Sequence, residues 1–214
     1  MKLETLDTLL TEELRDVYDA EKQITRALPK MAKAAHSPEL KEALQEHLEV
    51  TRGQIERLEE IFGLLDEKPK SKPCAGMKGL IEEGSEMLEM DKNSDENLMD
   101  AAIISAAQRV EHYEMAAYGT LRTYAECLGN DRVAQLLEQT KEEEEEADRK
   151  LSEISEQILQ AAQNGMNEGE EDDEDIEEEE DSEEMSVSSG NGRSPARSQS
   201  KSSPRGRSST AKRK

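Results

Sequence analysis

Aromatic residues are almost missing from this chain. They make up 2% of its 214 residues, with no Trp and one Phe, so any core must be assembled from Leu, Ile, Ala and Met. Sandwiches and barrels need aromatic and β-branched strands separated by Gly and Pro turns, and no such runs occur. Unbranched helix formers predict an all-α protein instead. Long hydrophobic runs are missing too: none approaches the roughly 20 residues of a membrane-spanning helix, so no membrane partner is expected. The start, MKLETLDTLLTEEL, reads as an acid-containing amphipathic helix without the basic beginning and apolar centre of a secretion signal. A cytoplasmic location is the expectation. Cysteine is equally scarce. Cys74 and Cys127 belong to no CxxC pair and have no nearby His, which fits free thiols in a reducing compartment.

What the chain has in excess is negative charge, with a formal net charge of −23. It is unevenly spread. Residues 168–184 hold 14 acids and no base, 193–214 hold eight bases and no acid, and 1–167 carry 20 bases against 37 acids. The two end blocks contain too few apolar side chains to offset the entropy of ordering them. A disordered tail over 166–214 is therefore expected, after a single domain over 1–165. The Ser-, Arg- and Lys-rich end is the one place where nucleic acid would bind, through its phosphates. It lacks interleaved aromatics and follows an acidic block that competes for it, so a solvated tail is the preferred reading.

Four long periodic segments occupy the first 165 residues. The first runs from about Thr5 to Ala35 and stops at His36-Ser37-Pro38, where Ser37 suits a helix cap and Pro38 a first turn. The second covers about Glu39 to Leu65. So short a connection makes these two an antiparallel hairpin. Residues 66–93 form a longer crossover with a short amphipathic stretch containing Met77, Leu80, Ile81, Met87 and Leu88. The third long helix begins near Ser94 or Asp95 and reaches Leu128, before the stop at Gly129-Asn130-Asp131. The fourth runs from about Arg132 to Gln163. Two hairpins joined by one long crossover, with a short extra helix, make a ferritin-like four-helix bundle.

The hairpins repeat at an offset of 93 residues. The first seam reads Leu10, Leu14, Val17, Glu21, Ile24, Leu28, Met31, and its copy reads Ile103, Ala107, Val110, Glu114, Ala117, Leu121, Tyr124. Each carries a glutamate where an apolar residue belongs. Buried carboxylates cost several kcal/mol unless paired or bound to a cation, by the order of magnitude of buried charges generally. Hairpin geometry puts residue 51 opposite Glu21 and residues 144–145 opposite Glu114. All four helices thus bring a polar residue to one level.

Ferritin-like di-iron sites take one Glu from each of two helices and a Glu-x-x-His pair from each of the other two. Glu21 and Glu114 supply the single glutamates. The pairs are incomplete: the second helix offers Thr51 and Gln54, with His47 one turn earlier, and the fourth offers Glu144 and Ala147, with Asp148 as an i,i+4 partner of Glu144. Glu21, Gln54, Glu114, Glu144 and Asp148 are the predicted ligands for iron or another divalent metal, enough for one ion or for two held weakly. The alternative is a metal-free hydrogen-bonded layer involving Tyr18, Tyr113, Tyr118, Gln54 or Arg52, with carboxyls titrating upward. His112 reads as a flank residue. No residue is singled out as catalytic, and turnover stays open.

The blocks EELRDVYDAEKQITRALPKMAKAA, HLEVTRGQIERLEEIF, CAGMKGLIEEG, VEHYEMAAYGTLRTYAECLG and LLEQTKEEEEEADRKLSEI resemble the bacterial ferritin-like stress-protein family of YciF and YciE. The likeness spans about residues 3–160. It implies a ferritin-like bundle that forms a homodimer, a link to stress response and a metal site, with no particular reaction. Met- and Ala-rich faces on long helices agree with the dimer. The competing reading is a metal-free dimeric structural protein that contacts partners through its charged tail.

Overall fold

A computed structural model describes residues 4–89 and 95–177, with side chains described as far as Gln163. Five helices follow one another: α1 (Leu6–Ala34), α2 (Pro38–Leu64), α3 (Ala75–Leu88), α4 (Glu96–Cys127) and α5 (Asp131–Glu177). Strands are absent among the described residues. The chain is an all-α, ferritin-like arrangement of two hairpins, α1/α2 and α4/α5, with α3 in the crossover.

Local chemistry sets the helix ends. Thr5 caps α1 by accepting from the amide of Thr8, and Ser37 caps α2 by accepting from that of Leu40, with Pro38 in the first turn. The tight α1–α2 connection is clamped from α4, where buried Asp100 accepts from the amides of His36 and Ser37 at 2.8 and 2.6 Å. Asp95 caps α4. Gly129 ends it with φ +73°, a conformation that costs glycine nothing. In the crossover, Cys74 caps α3 and Met77 is fully buried, while Leu80, Ile81 and Leu88 pack on the core from its edge.

One boundary differs from expectation. The backbone of α5 continues past Asn164-Gly165 and Gly169 to Glu177, because a glycine weakens a helix by only about 1 kcal/mol without ending it outright, and Met166, Glu168, Glu170, Glu171 and Glu174 favour the helix. Residues 1–172 form one compact unit, and 173–177 are the described part of a second. The rest of the acidic block and the whole basic block lie outside the described residues.

The core consists of two apolar clusters. One gathers Ile24, Leu28, Leu44, Met77, Ile103, Ile104, Leu151 and Ile154; the other gathers Leu10, Leu14, Val17, Leu58, Phe62, Tyr118, Leu121 and Leu137. On every long helix the polar level falls between them: Glu21 on α1, residues 47–54 on α2, 111–114 on α4 and 140–144 on α5. Apolar packing on both sides fixes the depth of each polar side chain.

Candidate metal centre

Among the described residues nine polar side chains are buried. Asp100 clamps the α1–α2 turn, and the other eight, Glu21, His47, Thr51, Gln54, Glu111, Glu114, Thr140 and Glu144, form the layer. Within it one ligand atom from each of His47, Glu111, Glu114 and Glu144 lies within 4.8 Å of all the others. His47 Nε2 is 3.5 Å from Glu111 Oε1 and 3.6 Å from Glu144 Oε2. These four residues come from α2, α4 and α5.

The remaining members hold the four in place. Gln54 donates to Glu144, and also to Glu143 at 3.3 Å. Tyr118 donates to Glu21, which in turn shares a hydrogen bond with Glu114. Thr51 donates to the carbonyl of His47 at 2.8 Å, pinning the turn that carries the imidazole. Arg57 grips Glu143 through both nitrogens at 2.8 and 2.7 Å and donates to Thr140 at 2.6 Å.

So many carboxylates out of water repel one another. Burial, reinforced by Glu144, pushes Glu21 up to about 8. Burial likewise raises Glu111 and Glu114 well above the usual carboxylate range, with Glu144 the chief neighbour for the first and Glu21 for the second. The Tyr118 hydroxyl is raised by the same causes, burial first and then the Glu21 charge. Even so, the layer is not self-satisfied. Glu21 Oε2, His47 Nε2, Gln54 Oε1, Glu111 Oε2, Glu114 Oε1 and Glu144 Oε2 are buried without a hydrogen-bond partner. Native cores leave few such atoms, and six in one layer, four of them on the residues of the cluster, require an explanation.

Of the predicted ligands, the structure brings Glu21, Gln54, Glu114 and Glu144 into the layer. Asp148 stays outside it. Its carboxylate faces the α4–α5 flank, accepting from Gln108 at 3.0 Å and lying 3.4 Å from the exposed His112. It is only about 40° round the helix from Glu144, but on the side away from Ala147, which turns it toward the flank rather than the layer. Other groups weighed for a hydrogen-bonded network also point elsewhere: Tyr18 donates to Glu59, Tyr113 to Asp16, and Arg52 is exposed beside Glu49.

Two site residues escaped the sequence pattern. A strict heptad puts Val110 and Ala117 inside α4, but the buried stripe runs through Glu111, Glu114, Tyr118, Leu121 and Ala125, leaving Val110 and Ala117 half-buried. That stripe also has 3,4 spacing, and its acid-x-x-acid start was the available signal. His47 stood in the second-helix seam, yet it is displaced one turn from the Glu-x-x-His template.

The comparisons with known proteins agree with this fold. The chain is 45% identical over 156 residues to the protein YciF of Escherichia coli K12, covering 72% of this chain and 93% of that one. The crystal structure of the E. coli stress protein YciF superimposes with a TM-score of 0.71 at 43% identity, over 74% of this chain and 99% of that one. The YcfI protein of Rhodopseudomonas palustris gives 0.68 at 45%, over 71% and 95%. A Xanthomonas campestris protein, 24% identical with a TM-score of 0.59 over 76% and 99%, shares the fold. The model of one family, described as a domain of unknown function (DUF892), matches residues 5–164, and the chain belongs to that family.

Proposed function

We propose that this is a cytoplasmic, homodimeric stress-response protein of the YciF kind that binds one divalent cation, iron or a related metal, through His47, Glu111, Glu114 and Glu144. The observation that carries the reading is the convergence of unpaired buried donor atoms on one point. A cation there would satisfy these atoms and offset the carboxylate repulsion that raises Glu111 and Glu114. Imidazole with carboxylates suits borderline and hard divalent metals. Gln54, Glu21 and Tyr118 would orient the ligands, as hydrogen-bonded outer groups do in metal sites generally. A bound cation supplies Lewis acidity and, for iron, one-electron chemistry. The residues themselves hold donors at fixed depth, exclude bulk water and keep a proton between Glu21 and Glu114.

One ion is favoured over two by the repeat. At the 93-residue offset, the counterparts of Glu111, His47 and Glu144 are Tyr18, Thr140 and Thr51, none a ligand of comparable strength. Only the Glu114/Glu21 pair is common to both halves. Elemental analysis of protein purified without chelator, followed by equilibrium dialysis against iron(II), manganese(II) or cobalt(II), should return one equivalent per chain. Thermal melts should fall when that metal is stripped. A chain that holds none and melts identically with and without chelator would favour the second reading, a metal-free structural protein, for which the Tyr118–Glu21–Glu114 chain of hydrogen bonds speaks. Light scattering tests the dimer, which the mass of a single chain would refute.

A further inference from the structure

Among the described residues the polar layer is closed on several sides and opens toward the groove between α2 and α5. Glu21 and Tyr118, both buried, close it toward α1, and the apolar clusters seal its two ends. A cavity between α1 and α4, lined in part by Val17, Tyr113 and Leu121, has no member of the four-residue cluster in its wall. Nor does the cavity beside α3, lined in part by Met31, Ile81 and Val110. The groove between α2 and α5 differs. It encloses about 440 Å³, and His47 and Glu111 form part of its lining. Both side chains are more than nine-tenths buried, and His47 Nε2 and Glu111 Oε2 have no hydrogen-bond partner.

The rest of the groove divides by chemistry. Leu44, Val50, Ala147 and Leu151 contribute apolar wall with no atom to hold an ion in passage. Glu46, Glu142, Glu143 and Glu146 add carboxylates, against a single base, Lys150, which is itself paired with Glu46. Three of these acids have local partners: Glu46 in Lys150, Glu143 in Arg57 and Glu146 in Arg149. The lining remains net negative. A low-dielectric cleft of one sign raises the local concentration of the opposite ion and its rate of encounter.

We propose that this groove is the passage by which a divalent cation enters and leaves the centre, with His47 and Glu111 the first ligands it meets. Capture there breaks no existing hydrogen bond at the two receiving atoms, because neither makes one. The inference rests on the cation-binding reading above and adds the route to it. Passage through the groove is a kinetic property, separable from affinity. An obstruction between solvent and site raises the barrier to entry and exit alike, leaving their ratio unchanged.

The test follows cobalt(II) uptake by the full chain in stopped flow, through the visible absorption of the bound ion, and its release into excess chelator. Val50, 37% exposed, and half-buried Ala147 line the groove without belonging to the cluster. Val50→Trp and Ala147→Phe should each slow uptake and release by about tenfold, with the dissociation constant held within about twofold. Ala27→Phe, in the cavity beside α3, should alter neither. The double variant Glu142→Gln/Glu146→Gln should slow uptake severalfold and flatten its dependence on salt. Should Ala147→Phe fail to fold, Val50→Trp at the exposed edge carries the test. Wild-type rates in the obstructed variants would overturn the route and leave the centre standing. Weakened affinity with unchanged release would also count against it, by placing the effect on encounter or ligands. A wild type that takes up no cobalt would remove the centre, and the route with it.

Discussion

The α1/α2 and α4/α5 hairpins carry matching apolar residues and mismatched polar ones. At the 93-residue offset Leu28 pairs with Leu121, Leu44 with Leu137, Leu58 with Leu151 and Ile61 with Ile154, and all eight are buried. In the polar level the only identity is Glu21 with Glu114. The first hairpin adds one imidazole and neutral groups, whereas the second adds Glu111 and Glu144. Apolar positions must match because they set how the hairpins pack. The polar level is free to differ, and its asymmetry concentrates negative charge on one side. On the other side a positive charge is built in: Arg57 sits against Thr140 and Glu143, and its field lowers Glu21 against the larger effects that raise it. The first hairpin thus brings the layer a built-in cation, Arg57, and one neutral ligand, His47, while the second brings the acids.

Removing charge from the second hairpin breaks this contrast most severely. Glu144→Gln keeps the side chain's shape and its place beside Gln54 but loses a ligand shared with His47. Cation affinity should fall by about 100-fold or more, since a primary ligand outweighs the 10- to 100-fold effects of outer groups. The metal-free protein should melt higher than wild type, because a buried charge pressing on Glu21, Glu111 and Glu114 is gone. Isothermal titration with cobalt(II) and thermal melts in chelator check both. Retained affinity would take Glu144 out of the centre.

A smaller effect follows from acidity. In the metal-free fold Glu21 titrates near 8, against 4.5 when unfolded, so between these values the native state holds a proton that the unfolded chain has lost. Stability must then fall as pH rises through this window, and the raised Glu111 and Glu114 add to the fall. The direction is opposite to that of a salt-bridged carboxylate. From pH 5.5 to 8.5 the chelated protein should lose roughly 5 °C or more in melting temperature, using the usual scaling for a domain of this size. Glu21→Gln should make the slope shallower, with Glu111 and Glu114 keeping the remainder. Cation binding runs the other way, strengthening with pH as the ion displaces protons from its ligands. A chelated protein whose melting point is level across the window would contradict the protonated state assigned to Glu21.

Much of this layout was legible in the residues, and what was not has identifiable causes. Ser37-Pro38 and Gly129 punctuate helices by strong local chemistry, and the 93-residue repeat exposes the hairpins without any structure. Glu21 and Glu114 stand out because an acid in a heptad seam has few explanations. Glu111 stood beside Val110, which fits the heptad better. The choice between adjacent positions depends on a rotation of α4 that only packing decides. Asp148 lies on the flank beside Gln108 and His112 for the converse reason, since i,i+4 spacing allows a shared face without requiring it. The end of α5 lies beyond Asn164-Gly165 because glycine weakens a helix without necessarily ending it, a cost the sequence alone does not weigh against the helix already formed.

The smallest expected change belongs to the first hairpin. Thr51 is fully buried at the position corresponding to Glu144, and its hydroxyl donates back to the carbonyl of His47 one turn earlier. That carbonyl already serves the helix, so the added bond satisfies the hydroxyl more than it stabilises the fold. Thr51→Val replaces the hydroxyl with a methyl of like shape, removing donor and need together. Stability should change by only about 0.5 kcal/mol in either direction, because a polar group that departs with its requirement leaves nothing unsatisfied. Cation stoichiometry should stay at one per chain. Thr51→Val that abolished cation binding while folding normally would mean that the hydroxyl, one turn from His47 but assigned no ligand role, belongs to the centre. The restriction of the centre to His47, Glu111, Glu114 and Glu144 would then be wrong.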